Sequence, residues 1–161
     1  DNPQSTCLGR ATPAALVSSG LYLLEFKVNE SEQTIEILSE YFDEERTIYM
    51  DGRQHPTSQE RFITGHSIGH WEGEVLVIDT ANFADHRSPY QLGVPSGAQK
   101  HVIERYQLIE NGTRMAAEFF LEDPQYLAAP MTHNRELIYS PHLKRFQFNC
   151  DAEATRRFVN D

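Results

Sequence analysis

The chain has 161 residues, of which 39% are hydrophobic and 24% charged, a composition typical of one globular domain and not of a disordered chain. Its formal net charge of −10, without clustered Lys and Arg, argues against nucleic-acid binding and against docking on an anionic membrane surface. No apolar run approaches the roughly 18 residues that a membrane-spanning helix requires, so no membrane insertion is expected.

Short runs of alternating polarity, separated by turn residues, predict one all-β domain over residues 1–161. Residues 1–20 are expected to form an N-terminal arm with a short helix around 13–18. Residues 84–99 contain two prolines and two glycines and are expected to form a long loop or lid. The predicted strands cover residues 21–28, 33–42, 45–50, 64–71, 74–80, 101–110, 113–122, 131–139 and 145–150.

Eight or nine short strands with mostly short connections predict an up-and-down antiparallel β-barrel, because closing the sheet removes its exposed edges. A β-sandwich is the alternative. A barrel of about eight strands can hold one small ligand, whereas a tighter barrel is filled by side chains. The sequence therefore predicts a container for a small hydrophobic or aromatic molecule.

The arm and the last predicted strand each carry one cysteine, Cys7 and Cys150. A disulfide between them would anchor the arm in an oxidising compartment, and two free buried thiols are the alternative. The chain opens without an initiator Met or an apolar signal core, which favours a mature exported protein or a trimmed chain.

The first two hairpins turn Arg46 toward the apolar face. A four-residue loop at 29–32 would pair Phe26 with Ile35, and a tight turn at 43–44 would pair Tyr41 with Arg46. Tyr41 and Tyr49 are then expected to line the interior pocket.

The histidine-rich hairpin at 65–80 holds a second candidate site. Side chains four residues apart on a strand lie about 13 Å apart, too far for one metal ion, so His66 and His70 are not expected to form a metal site. A turn at 72–73 would pair His66 with Asp79, and a carboxylate beside a histidine fixes its tautomer and raises its basicity. A solvent-facing pair is the alternative.

Trp71 shares the other face of that strand with two small residues, Ser67 and Gly69. Space beside a large ring is typical of a cavity wall, so Trp71 is a candidate for substrate contact. A packed core tryptophan is the alternative.

Asn111-Gly112 is the strongest hairpin signal in the chain, because a type I′ turn requires positive φ at both central residues. The resulting register turns Glu104 inward against Phe119, between Val102 and Tyr106. An ionised carboxylate is costly on such an apolar face unless it is paired.

Glu104 and Arg46 are therefore expected to meet inside the barrel. In one interpretation they form a buried salt bridge without chemistry. In the other, Glu104 is a general acid or base, and Arg46 with Tyr106 positions a substrate oxygen. Phe119 would then contact the substrate, and His133 on a late strand is a further candidate.

The segment 65–80, with the letters GHSIGHWEGE followed by LVIDT after one residue, resembles the signature of a widespread set of uncharacterised exported bacterial proteins. Similar blocks are YMDGRQHP at 49–56, ERY at 104–106 and EDP at 122–124, so the resemblance spans most of the chain. Members of that set usually carry Tyr at the position of His66. The resemblance implies a periplasmic or secreted β-barrel similar to the lipocalin class, and it implies no activity.

The leading hypothesis is a cofactor-independent acid/base enzyme of isomerase, lyase, cyclase or hydratase type, acting on a small, largely apolar molecule in the barrel. The alternative is a non-catalytic carrier or sensor of a hydrophobic molecule or haem. A third hypothesis is an interaction domain that works through the loop at 84–99, and a homodimer is compatible with each. No Gly-rich phosphate loop is present in the sequence, which argues against nucleotide chemistry.

Overall fold

The structure is a computed structural model that describes residues 7–57, 59–91 and 94–156. Strands dominate it, so the predicted all-β class is confirmed. Two short 3₁₀ turns lie at Tyr41–Asp43 and Glu110–Gly112. The helices and strands are α1 Ala14–Val17, β1 Leu24–Asn29, β2 Thr34–Ser39, β3 Glu45–Tyr49, β4 His66–Glu72, β5 Val75–Ala81, β6 His86–Gln91, β7 Val94–Ser96, β8 His101–Ile109, β9 Arg114–Glu122, β10 Met131–Ile138 and α2 Ala152–Arg156.

Eight of the strands form one curled sheet in the order β1-β2-β3-β4-β5-β8-β9-β10. Neighbouring strands are antiparallel except β3 and β4, which run parallel because residues 50–65 cross over between them. Within the described residues β1 and β10 lie at opposite ends of the sheet and do not pair with each other. The sheet is therefore a half-barrel, and its one parallel pair departs from a simple meander.

Two predicted elements are corrected. The expected loop at 84–99 contains a small antiparallel pair, β6 with β7. The strand expected at 145–150 does not form, and two of its backbone N–H groups donate to side-chain carboxylates. The N–H of Phe146 donates to Glu40 Oε1 at 2.8 Å, and the N–H of Phe148 donates to Asp43 Oδ1 at 3.0 Å.

The N-terminal arm fills the interior of the half-barrel. Ala14 is fully buried and Leu16 is 2% exposed, because the short helix α1 lies against the apolar face of the sheet. Ala11 and Thr12, just before the helix, are buried as well. The core that they join includes Ile35, Ile37, Ile48, Leu76, Ile78, Phe83, Val102, Tyr106, Ala117, Phe119 and Leu121.

The hairpin between β8 and β9 has the predicted register, with Glu104 opposite Phe119. Both Asn111 and Gly112 have positive φ, 57° and 81°, as the turn signal requires. The connection is longer than the predicted two residues, since Ile109 and Arg114 are the last paired residues.

The other three predicted registers are wrong by an even number of residues. Phe26 pairs with Ile37 in place of Ile35, a shift of two. Arg46 pairs with Ile37 in place of Tyr41, a shift of four. An even shift leaves each side chain on its predicted face, so Arg46 still points into the core.

In the third case His66 pairs with Ala81 in place of Asp79, again a shift of two. Arg105 lies opposite Glu118, but its guanidinium binds Glu72 on β4.

A disulfide joins Cys7 to Cys150, as predicted, and links residues 143 positions apart in the sequence. It ties the arm to the C-terminal segment, and so anchors the element that fills the core. Across the described residues, no helix has the length and apolar character needed to cross a membrane.

Candidate functional sites

Glu104 and Arg46 form a buried ion pair on the core face of the sheet. Glu104 is 1% exposed and Arg46 is 6% exposed. The guanidinium binds the carboxylate through two hydrogen bonds, from Nη1 to Oε2 at 2.6 Å and from Nη2 to Oε1 at 3.1 Å. The predicted meeting of the two side chains is confirmed.

Two further hydroxyl groups complete this pair. Tyr106 donates its hydroxyl to Glu104 Oε1 at 2.7 Å, and Arg46 Nη1 also donates to Thr12 Oγ1 at 3.2 Å. Burial alone would lower the pKa of Arg46, but the charge and hydrogen bonds of Glu104 raise it above its ordinary value. Burial and the Glu104 charge likewise hold the pKa of Tyr106 well above its usual range. Arg46 therefore stays charged and Tyr106 stays protonated.

A second pair of buried titratable groups, missed by the sequence analysis, surrounds the first. Burial raises the pKa of Glu44 to about 7, although Arg46 opposes the shift. Burial lowers the pKa of Lys100 to about 7, against the attraction of Asp123 and other carboxylates. Lys100 Nζ donates to the Thr12 carbonyl at 2.7 Å, so this charge cluster also holds the arm. Lys100 follows the irregular segment 84–99, so no alternation of polar and apolar residues before it indicates that its side chain points inward.

The cavity beside this cluster has a volume of about 10 Å³ and is lined by Glu44, Arg46, Glu104 and Tyr106, with α1 as its lid. That volume suits one water molecule and no organic substrate. Two buried atoms at its wall, Glu44 Oε2 and Arg46 Nε, make no hydrogen bond with any described residue. The geometry thus fits the salt-bridge interpretation of Glu104 and gives no support to a substrate inside the sheet.

A hydrogen-bonded histidine cluster lies on the outer face of the sheet. Asp79 Oδ1 contacts two rings, His101 Nε2 at 2.8 Å and His55 Nε2 at 3.2 Å. His55 in turn places its Nδ1 2.9 Å from Nδ1 of His66. His101 Nδ1 lies 3.5 Å from Glu122 Oε1. The predicted pair of His66 and Asp79 is thus joined through His55.

With His55 neutral and Asp79 ionised, the two contacts define where the protons of this chain lie. A carboxylate only accepts, so Nε2 of His55 carries the proton that it donates to Asp79. A neutral imidazole has one N–H, so Nδ1 of His55 accepts and Nδ1 of His66 donates. By elimination, Nε2 of His66 bears a lone pair. The far end of the chain is therefore a base.

Aromatic rings enclose His66 on the outer face. The Tyr49 ring stacks on His66 with centroids 5.2 Å apart and an interplanar angle of 20°, and Phe62 lies 6.3 Å away. The Arg53 guanidinium lies 3.8 Å from the centroid of Tyr49. Burial first, and the neighbouring His55 and Arg53 second, lower the pKa of His66, which favours the neutral ring at pH 7.

The carboxylates of Asp79 and Glu122 shift the pKa of His101 in the direction opposite to that of His66. Hydrogen bonding with Asp79, and then with Glu122, raises the pKa of His101 against its burial. Burial would raise the pKa of Asp79, but the two histidines lower it, so the carboxylate stays ionised. One anion therefore orients two rings, those of His101 and His55. Within the described ranges no three His, Cys, Asp or Glu side chains are arranged to hold a metal ion.

The remaining predicted site residues are scattered. Tyr49 lies on the outer face beside His66, not in the interior as predicted. Trp71 is 58% exposed at the end of β4, where β3 no longer flanks the strand, so its predicted place inside a pocket is wrong. Phe119 is buried, and its ring lies 5.6 Å from that of the exposed His133. Tyr41 lies near the open edge of the sheet, with its ring 4.8 Å from that of Tyr22.

His55 and His101 are the residues of the outer site that the sequence analysis missed. His101 lies two residues before Ile103, the partner of Asp79, so the β5–β8 register would have revealed it. The long segment between β5 and β8 prevents that register from being predicted from the sequence. His55 lies in the irregular crossover, where only its place in the block at 49–56 marks it.

Comparisons of the chain with protein-family models, with curated proteins and with solved structures found no match. The resemblance of the segment 65–80 to exported bacterial proteins therefore stays a prediction, and the function must be argued from the site.

Proposed function

We propose that the protein is a cofactor-independent acid/base catalyst whose base is Nε2 of His66. The observation that carries the proposal is the hydrogen-bonded chain from Asp79 through His55 to His66, with contacts of 3.2 and 2.9 Å. A buried or half-buried base backed by an oriented carboxylate is a recurring arrangement for proton transfer.

The chain supports proton transfer in a direct way. When Nε2 of His66 takes a proton from a substrate, the ring becomes an imidazolium that still donates from Nδ1 to His55. Asp79 in turn polarises His55, because the N–H of His55 donates to the Asp79 carboxylate, and this stabilises the imidazolium of His66. The same proton can return to another substrate atom, which is the chemistry of isomerases, lyases, cyclases and hydratases.

The surroundings of His66 favour a small, largely apolar or aromatic substrate. Tyr49 and Phe62 flank the base with aromatic surface, while the Arg53 guanidinium beyond Tyr49 is paired with Asp51. The disulfide is typical of proteins in oxidising compartments, so we place this activity in the periplasm or outside the cell.

The test is the ring opening of 5-nitrobenzisoxazole, which reports a reachable general base. The base removes the carbon-bound proton while the N–O bond breaks, and the electron pair leaves on the coloured phenolate oxygen. We expect a rate above that of matched buffer, rising with pH and reaching its plateau below the pH expected for free imidazole, because the pKa of His66 is lowered.

His66→Ala should remove the excess rate, and Asp79→Asn should reduce it roughly 10- to 100-fold by disturbing the tautomer of the chain. His70→Ala is the matched control, since His70 is an exposed histidine on the same strand. Equal rates for the two alanine variants, or no excess rate at any pH, would exclude His66 as the base.

A further inference from the structure

A groove of about 330 Å³ opens where the half-barrel fails to close, remote in the fold from the histidine cluster. Its walls come from the end of α1, the segment that leads into β1, the 3₁₀ turn at Tyr41–Asp43 and the edge strand β10. The volume falls within the range of small-molecule sites in proteins.

The walls of the groove combine apolar and aromatic side chains with polar groups. Val17 and Leu21 line it, and Leu21 is 85% exposed, so a large apolar side chain lies at the rim without cover from described residues. Tyr22 and Tyr41 form a ring pair with centroids 4.8 Å apart. Each ring presents an apolar body with a polar tip, a combination that binds molecules with one polar end.

One cation, Arg135 on β10, lies in this groove. Its Nε donates to His133 Nε2 at 3.2 Å, which leaves the two Nη groups directed away from that bond. Among the described residues Arg135 forms no ion pair, whereas Arg46, Arg105 and Arg114 each bind a carboxylate. A guanidinium in an apolar groove on so acidic a molecule is available for an anion.

Gly20 makes room for this guanidinium. A Cβ at that position would come within 3.2 Å of Arg135 Nη1, closer than a side chain normally approaches. The absence of a side chain at Gly20 therefore lets the fork of Arg135 reach into the groove from the opposite wall.

A second cation lies behind the aromatic wall. The Arg10 guanidinium is 5.2 Å from the centroid of the Tyr41 ring, and Arg10 is only 2% exposed. Its Nη2 makes no hydrogen bond with any described residue. Two guanidinium groups therefore lie at this groove, Arg135 in its wall and Arg10 against the Tyr41 ring, although the chain as a whole carries a net charge of −10.

We propose that this groove binds a small apolar molecule that bears one carboxylate. The planar guanidinium of Arg135 matches a carboxylate through two parallel hydrogen bonds, and the apolar tail lies along Val17, Leu21 and the tyrosine rings. The site is separate from the proposed base at His66, so it acts as a carrier or regulatory site, whether or not the outer cluster is catalytic.

The test measures the binding of decanoate by titration calorimetry, with decanol and decyltrimethylammonium as probes of equal chain length. We expect decanoate to bind at least about tenfold more tightly than decanol, because hydrogen bonds between a guanidinium and a carboxylate are stronger than those to a neutral hydroxyl. The cationic probe should not bind. Equal affinity for decanoate and decanol, or no binding of decanoate, would overturn the proposal.

Variants locate the site. Arg135→Met should weaken decanoate binding at least about tenfold and leave decanol unaffected. Arg114→Met is the matched control, since Arg114 lies on the outer face of the same hairpin and binds Glu136. Gly20→Ala, which presses on Nη1 of Arg135, should weaken binding to a smaller extent and supplies a second test should Arg135→Met misfold. Unchanged binding in both groove variants would contradict the assignment.

Discussion

Glu104 and Arg46 depend on each other, because neither charge has access to solvent. Removing one partner would leave the other as an uncompensated buried charge, whereas removing both leaves neither charge of the pair behind. The remaining hydrogen bond from Tyr106 cannot neutralise a buried carboxylate. The two side chains thus contribute mainly by satisfying each other, which is a structural role.

Arg46→Met should lower the free energy of unfolding by about 3–5 kcal/mol, measured by denaturant titration. The double variant Arg46→Met with Glu104→Met should recover most of that loss. Arg114→Met, which breaks a surface pair, should cost at most about 1 kcal/mol. A cost for Arg46→Met no larger than that of Arg114→Met would contradict the buried-pair interpretation.

The turn positions set the faces of the hairpin strands, so the inward direction of Glu104 and Arg46 could be predicted from the sequence. The residues of the outer site could not all be found in this way. His66 and Asp79 were found because a short hairpin places them on one face. His55 reaches them from a crossover of residues 50–65, where no periodicity indicates a side chain's direction. Irregular backbone is therefore where sequence patterns fail to locate this site.

At the scale of elements, the hairpins show why the fold was easier to predict than its registers. A turn residue indicates roughly where a chain reverses, and an error of two residues at the turn shifts the pairing by an even number. Phe26 and Arg46 therefore kept their faces although their partners were wrong. The interior filled by α1 was not predictable, because a four-residue helix in the arm has no pattern that shows where it packs.

Gly65 connects the crossover to β4 and offers a test at this scale. Its φ is +78°, and a Cβ would lie 2.5 Å from Thr80 Cγ2 and 2.8 Å from the Phe83 ring. Gly112 has a similar φ of +81° but open space around it. Gly65→Ala should therefore destabilise the protein by about 1–3 kcal/mol more than Gly112→Ala, as measured by thermal or denaturant unfolding.

Because Gly65 precedes His66, the same variant should also displace the base and reduce the ring-opening rate, while Gly112→Ala leaves that rate unchanged. Equal stability of the two variants would show that the contacts with Thr80 and Phe83 do not constrain this turn.

For the whole molecule, two buried groups make the free energy of unfolding depend on pH. Glu44 produces an acid limb that falls as pH rises, and Lys100 produces an alkaline limb that rises with pH. The pKa of Glu44 rises from 4.5 to about 7 on folding, so the folded state binds more protons across that window and stability falls as pH rises through it. The pKa of Lys100 falls from 10.5 to about 7, so the unfolded state binds more protons above pH 7 and stability rises with pH. Together these groups produce a minimum near pH 7.

At about 1.4 kcal/mol per pKa unit, the acid limb should amount to roughly 3–4 kcal/mol and the alkaline limb to roughly 5 kcal/mol in the free energy of unfolding measured from pH 4.5 to 10.5. Glu44→Gln should flatten the acid limb and Lys100→Met the alkaline limb. Glu30→Gln, an exposed change in the β1–β2 loop, is the control. Profiles for the two core variants that superimpose on that of the control would contradict the assignment of the limbs.

The proposed base at His66 depends on where one proton lies, and nitrogen-15 NMR of the histidine rings at neutral pH measures this most directly. The hydrogen-bond chain predicts a protonated Nδ1 and an unprotonated, pyridine-type Nε2 in His66, and loss of that preference in Asp79→Asn. An N–H at Nε2 of His66, or a tautomer unchanged by Asp79→Asn, would contradict the account.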